Sequence, residues 1–239
     1  MKKPTGYILY EGKSQIDGAP IVAIVTMKSS NVKTGNMASM WILRSDVKPT
    51  EASKEGKDES ICGSCPHRHS LGGSCYVTLF QAPLQVYKSY KKGNYPKAND
   101  INLFKDMSIR FGAYGDPFAL PMYLLNQLKA VSKNHTSYTH QWRQGDEVLK
   151  AVSMASTDSI TETKQAHAEG WRTFRVTNDI NTILDSEIVC PNTTKGISCV
   201  DCGLCSGNTI SAKSIVIEVH GSKKKRFVEP AEQKELITK

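Results

Sequence analysis

Three apolar runs open the chain: YILY at 7–10, IVAIVTM at 21–27 and MASMWIL at 38–44. Each is rich in β-branched or aromatic residues and too short for a typical helix, so each predicts a strand. KTGN at 33–36 is a turn signal, and it predicts a hairpin between the second and third runs. A mixed-charge stretch at 46–60 reads as a loop or short helix. PLQVYKSYKK (83–92) predicts a helix with proline in its first turn and Tyr87 and Tyr90 on one face. From residue 107 strand-like and helix-like segments alternate. MSIRFGAYG (107–115), TSYTHQW (136–142), AVSMA (151–155), WRTFRVT (171–177), SEIVC (186–190) and SIVIEVH (214–220) predict strands. PFALPMYLLNQLKAVSKN (117–134), with Pro121 in its first turn, predicts a helix. So does SITETKQAHAEG (159–170), with a serine cap and a glycine stop.

This alternation predicts an α/β fold with a parallel sheet and right-handed crossovers, open or partly closed into a (βα) barrel. The expected organisation has three parts. Residues 1–45 form a β-rich segment that supplies an N-terminal hairpin and the first barrel strand. Residues 46–220 form a partial α/β barrel with cysteine-rich loops at 62–75 and 190–205. Residues 221–239 form a charged, solvated tail.

Composition narrows the class. The 239 residues are 39% hydrophobic and 23% charged, enough apolar material for a core. No apolar run approaches the roughly 18 residues of a membrane span. The opening MKKPTGYILYEG lacks the apolar stretch of a secretory signal, so a cytoplasmic protein without a membrane partner is expected. The formal charge of +8 favours a polyanionic partner, nucleic acid or nucleotide. Because the lysines are spread along the chain, a basic protein with no special partner explains the charge equally well. The same holds for KKKR at 223–226, which can touch phosphate or simply be solvated.

The seven cysteines fall into two groups. Cys62, Cys65 and Cys75 make the first; Cys190, Cys199, Cys202 and Cys205 make the second; the 114 residues between Cys75 and Cys190 contain none. An odd number of cysteines in a chain without a secretory signal argues against a disulfide framework. Both groups contain C-x2-C, the spacing that lets two thiolates converge on one metal from a tight turn. The second group, CPNTTKGISCVDCGLC, offers four thiolates with Gly196, Gly203 and Gly207 to curl the backbone. That set closes the sphere of an iron–sulfur cluster or a zinc ion. Thiols packed as small apolar groups are disfavoured there by the Gly, Asp, Ser and Thr flanks. The first group, CGSCPHRHSLGGSC, supplies three thiolates with His67 and His69 between them. Either a cluster with one open iron or a zinc site closed by one histidine satisfies it. The His67–Arg68–His69 triplet superficially matches the paired histidines of rolling-circle nucleases, but that motif needs a hydrophobic middle residue on a strand.

Ligands of parallel α/β folds sit at the carboxyl ends of the strands. The predicted strands bring Tyr114, Gly115 and Asp116, then His140 and Trp142, then Ser156, Thr157 and Asp158, and finally Arg175 and Cys190 to that rim. The first cysteine loop follows the 38–44 strand, so both groups are expected on one rim. Each polar residue also has an ordinary explanation: Asp116–Pro117 starts a helix, Ser156 and Asp158 cap one, and Arg172 and Arg175 pair with carboxylates. His135, His167 and His220 read as surface histidines.

A strand, a three-cysteine loop, a helix and a strand ending in a Gly/acid/Pro motif resemble the start of a radical S-adenosylmethionine barrel. The resemblance implies a [4Fe–4S] cluster on Cys62, Cys65 and Cys75. It also implies a cofactor contact at GAYGDP (112–117) through Gly115 and Asp116, with Ser156, Asp158 and Arg175 lining the S-adenosylmethionine and substrate cavity. The chain departs from that superfamily in spacing, with C-x2-C-x9-C in place of C-x3-C-x2-C. The second group resembles the auxiliary cluster regions of some members. CGSCPHRHSLGGSCYV, IRFGAYGDP, GWRTFRV and CVDCGLCSG resemble, more closely, a cysteine-rich family of bacteriophage and prophage proteins. That family brings no activity with it. Two functions stay open: a radical-type enzyme acting on a nucleotide or nucleic acid, and a metal-stabilised nucleic-acid-binding module in phage replication or host takeover.

Overall fold

The computed structural model describes residues 3–29 and 31–228, without the Thr209 side chain. Nine strands form one sheet: β1 (Gly6–Lys13), β2 (Pro20–Thr26), β3 (Ala38–Arg44), β4 (Ser108–Tyr114), β5 (Asn134–Thr139), β6 (Met154–Thr157), β7 (Thr173–Thr177), β8 (Glu187–Val189) and β9 (Ser214–Glu218). Their order is β1-β2-β3-β4-β5-β6-β7-β9-β8. The first three strands pair antiparallel, with the expected β2–β3 hairpin at the register Ile24 opposite Trp41. Every pair from β3 onward is parallel. The fold is therefore α/β with a mostly parallel sheet.

The apolar content of β2 explains its place inside the sheet. Residues Ile21 through Val25 are all fully buried, as a run without polar alternation requires. From β4 to β9 the side chains alternate between two different environments. Ile109, Phe111, Ser137, Ala155, Thr157, Thr173 and Val216 are buried on one face. Arg110, Tyr114, Thr136, Tyr138, Ser156, Phe174, Val176, Ile215 and Ile217 line a cavity on the other. Parallel strands laid down in sequential order with right-handed crossovers send those connections across one face and leave the opposite face concave and open. At Gly112, whose φ is +77°, β4 bulges: Ser39 pairs with Arg110 but Trp41 with Tyr114. A Cβ there would lie 2.6 Å from the Gly115 carbonyl.

Several boundaries differ from the sequence expectation. The helix expected from residue 117 starts at Met122, after a 3-10 turn at Pro117–Ala119. Pro121 sits just before the helix, extended at ψ 129°. Trp142 is not in a strand but opens the 3-10 turn Trp142–Gln144 and is buried. DEVLKAV forms the helix Glu147–Val152, capped by the Asp146 carboxylate on the Leu149 N–H. The helix Ile160–Ala168 has its expected Ser159 cap, accepting from the Glu162 N–H, and its Gly170 stop at φ +82°. Within the charged segment 221–227 most residues are exposed, but Phe227 is buried and stacks on His67, with ring centroids 5.5 Å apart. Residues 229–239 of the expected tail lie outside the described residues. Among the described residues no helix is long and apolar enough to cross a membrane.

His135, expected at the surface, is buried on β5 behind Phe111 and donates Nε2–H to the Val152 carbonyl at 2.8 Å. Burial pushes its pKa down to about 4. The native imidazole is thus neutral where the unfolded one, near 6.5, has begun to take a proton. Stability is complete above about pH 6.5 and falls as the pH drops toward 4, by up to about 3 kcal/mol from this group. Urea unfolding at pH 7 and pH 4.5 measures it. His135→Gln, which keeps a donor for Val152, flattens that part of the profile.

Candidate metal-binding cavity

The concave face of the sheet encloses about 280 Å³, the size that takes one small molecule. All seven cysteines line it. None is in a disulfide.

The first group hangs over the carboxyl ends of the strands. Cys62 ends the short helix Glu59–Cys62, and Gly63 turns the chain at φ +55°. A side chain at Gly63 would run into Gln141, 2.4 Å from its amide. The Cys65 N–H donates to the Cys62 carbonyl at 3.3 Å, and the Cys75 N–H donates to the His67 carbonyl at 2.9 Å, so the nine-residue gap folds back as a closed loop. Gly73 makes this closure possible, since a Cβ there would lie 2.5 Å from the His67 backbone.

The second group arrives from the other end. Cys190 follows β8, with its N–H on the Val216 carbonyl at 2.9 Å. The chain then descends. The Cys199 N–H donates to Lys33 O and the Val200 N–H to Thr34 O, ahead of β3; Asn134 Nδ2, at the start of β5, donates to Val200 O. The Cys205 carbonyl accepts the Ser137 N–H at 2.9 Å. The two groups therefore share the cavity but not the rim: Cys199 is held at the amino end of β3 and Cys205 beside the middle of β5, while Cys190 stays at the end of β8. The expectation of a common rim assumed that a loop stays where its preceding strand ends. The 15 residues after Cys190 are long enough to cross the concave face.

Burial raises the thiol pKa values. It pushes Cys62 well up, with the neighbouring Cys65 and Cys75 sulfurs adding to it, and carries Cys75 to about 11. Cys205 is pushed up to about 12 although the Tyr138 hydroxyl donates to it, and Cys199 is raised as well. A bound cation reverses this preference, because thiolate is the form that ligates.

Two histidines and an aspartate meet beside the first group. His67 Nε2 lies 2.7 Å from Asp158 Oδ1, and His140 Nε2 lies 3.3 Å from Asp158 Oδ2. Burial works against the Asp158 carboxylate, but hydrogen bonds and charge from His140 and His67 hold its pKa well below the ordinary carboxylate value. Ser74 Oγ lies 2.9 Å from His67 Nδ1. The other loop histidine, His69, turns away: Nε2 meets the Val77 carbonyl at 2.8 Å and Nδ1 meets Lys223 Nζ. Among the described residues, His67, His140 and Asp158 form the one set of three His, Cys or carboxylate ligand atoms within 4.8 Å of one another.

The other expected site residues divide. Gly115, Asp116, Ser156 and Asp158 line the cavity. Gly115, at φ +87°, leaves no room for a side chain, since a Cβ would lie 2.7 Å from Ile42 Cβ. Asp116 is occupied with the backbone: Oδ1 accepts from the Phe118 N–H at 3.0 Å and Oδ2 from the His140 N–H at 2.9 Å. Arg175 is not in the cavity. It is fully buried on the opposite face, bidentate to Glu187 at 2.8 and 2.7 Å. Phe174 and Val176 face the cavity, so alternation sends Arg175 the other way, a signal already present in WRTFRV. Arg172 donates to three carbonyls, of Gly207, Ala212 and Lys213, rather than pairing with a carboxylate. The cavity wall also holds Tyr114, expected at the rim, and two residues not anticipated there, Arg110 and Tyr76. Arg110 donates to the Tyr76 hydroxyl, and Tyr76 stacks on His220. The Tyr114 hydroxyl is buried with no hydrogen-bond partner among the described residues. No protein-family model, curated protein or solved structure matches the chain.

Arg175→Met strands a buried Glu187 carboxylate and is expected to cost about 3 kcal/mol or more. Arg175→Met/Glu187→Leu recovers much of that loss in urea unfolding. Neither variant alters ligand or metal content at the cavity, because the pair faces away from it.

Proposed function

We propose that this chain is an iron–sulfur protein, built as a partial (βα) barrel of the radical S-adenosylmethionine type, acting on a small molecule such as a nucleotide. The observation that carries this reading is the convergence of seven free thiols, from two stretches 114 residues apart, on one cavity. The sequential parallel order from β3 to β7 supports the barrel comparison.

The donor sets fit the groups. Cys190, Cys199, Cys202 and Cys205 supply the four thiolates of a closed cluster, and Cys62, Cys65 and Cys75 supply three, which leaves one iron for a ligand in the cavity. A single tetrahedral zinc holds its sulfurs about 3.8 Å apart, from Zn–S bonds near 2.3 Å. No three cysteine sulfurs among the described residues come within 4.8 Å of one another, so neither group is drawn together to the spacing of a single zinc. A reduced open cluster supplies an electron for reductive cleavage of S-adenosylmethionine. The chain's own residues do the rest. The first loop and Phe227, which stacks on His67, border the carboxyl mouth. Arg110 offers a cation to an anionic substrate group, with no carboxylate within ion-pairing distance among the described residues. Asp116 fixes the turn that carries Gly115. The cavity's volume of about 280 Å³ suits a small substrate, and the nucleic-acid-binding module is set second.

Anaerobic purification and reconstitution followed by iron, sulfide and zinc analysis tests this. About eight irons with matching sulfide are expected for two four-iron clusters. Cys75→Ser should lose about half of the iron and all 5′-deoxyadenosine formation from S-adenosylmethionine and a reductant. Stoichiometric zinc without sulfide overturns the reading.

A further inference from the structure

We infer that His67, His140 and Asp158 form a mononuclear site for a divalent first-row transition ion at the carboxyl mouth of the cavity. Three separate elements deliver the ligands: the loop after β3, the end of β5 and the end of β6. The two imidazole Nε2 atoms flank opposite oxygens of one carboxylate, at 2.7 and 3.3 Å, and all three ligand atoms lie within 4.8 Å of one another. Two imidazoles and one carboxylate are the donor set that binds iron(II), manganese(II) or zinc(II) while leaving positions open, and all three residues line the cavity.

One further feature separates this cluster from a simple ion pair. His67 Nδ1 lies 2.9 Å from Ser74 Oγ, the outer hydrogen bond that orients a ligating histidine so that Nε2 faces the ion. His140 Nε2, buried, stands 3.3 Å from Asp158 Oδ2, against the 2.7 Å of His67 Nε2 from Oδ1, and the Cys65 sulfur lies beside it. The site uses none of the seven cysteines as a ligand, but His140 touches Cys65 of the first group, so metal binding here and cluster content are measured separately.

Manganese(II) is the probe, because it prefers carboxylate and imidazole to thiolate. The full-length chain is titrated anaerobically with MnCl₂, and free Mn²⁺ is read by electron paramagnetic resonance. One Mn²⁺ per chain is expected. Asp158→Asn and His140→Gln weaken binding at least tenfold, and Ser74→Ala weakens it about tenfold. Failure of the folded wild-type chain to bind Mn²⁺ overturns the site and leaves a hydrogen-bonded His–Asp–His group. Binding that is unchanged in Asp158→Asn and His140→Gln overturns it too. If circular dichroism shows that Asp158→Asn has lost its fold, Ser74→Ala, which removes only the outer hydrogen bond, decides. Iron and sulfide measured on the same samples keep the two readings distinct. A chain without clusters that still binds Mn²⁺ through these residues retains this site, and a chain with clusters that does not loses it.

Discussion

Side chains of a strand alternate between faces, and in this sheet the two faces have opposite fates. One is filled by apolar and hydroxyl side chains and a buried Arg175–Glu187 pair. The other curves around a cavity, and the segments that border it are cysteine-rich, glycine-rich and polar. Such loops bury little apolar surface for each residue they order, so the hydrophobic effect alone holds them poorly. Their backbone hydrogen bonds to Lys33, Thr34, Ser137 and Val216 supply part of the constraint. Ligation of a shared ion or cluster is the interaction that sulfur at these positions can add, and its free energy would appear directly as folding free energy.

Some of the positions that tolerate no side chain lie at the first cysteine loop. Gly63, Gly73 and Gly115 each stand where a Cβ would strike a neighbour within 3 Å, and all three lie in or against the first cysteine loop. The loop is therefore close-packed against Gln141, Ile42 and its own His67 rather than draped over the rim. Asp58 closes its base, accepting from Ser70 Oγ at 2.8 Å with Arg68 3.5 Å away. The segment 221–227 closes its top through Phe227 on His67 and Lys223 on His69. Each histidine of the HRH triplet is thus committed to a different partner, which accounts for their failure to act as a pair.

Much of the fold was legible because hydrophobic period and turn chemistry agree locally. The β2–β3 hairpin, the helix at Ala82–Lys91 and the Ser159-capped helix each carry both signals. Pro121 misled because it was placed inside a helix that in fact begins after it, as a residue lacking an N–H and stiff at φ readily allows. Gly115, Asp116, Ser156, Asp158 and Cys190 were legible from strand ends as residues bordering the cavity, whereas Cys199, Cys202 and Cys205 reach it along the connection. Arg175 was misassigned because its position in the strand was read without its parity. What no local pattern reveals is the path of a long connection. The descent of residues 191–205 toward the amino ends, the return of 221–227 over the first loop, and the meeting of His67 with His140 and Asp158 are all long-range events.

The placement of the two sulfur groups at opposite ends changes what the cavity can do. On a common rim they would compete for the same face of a ligand, and one would serve only to hold the other's loop. At opposite ends, with Arg110, Tyr138 and Tyr114 along the wall and Lys33 at the margin, a ligand filling the cavity would meet sulfur at both ends and the Arg110 and Lys33 cations. An anionic group placed at Arg110 would orient such a ligand, leaving its other end toward Cys62, Cys65 and Cys75. The second group borders the Arg110 end, since the Cys199 sulfur lies within electrostatic reach of that guanidinium. A negatively charged center there would share the cation with the ligand, so the charge state of one end bears on the affinity at the middle. Such a coupling falls with distance and with the water that lies between the charges, so it acts chiefly between groups as close as Cys199 and Arg110.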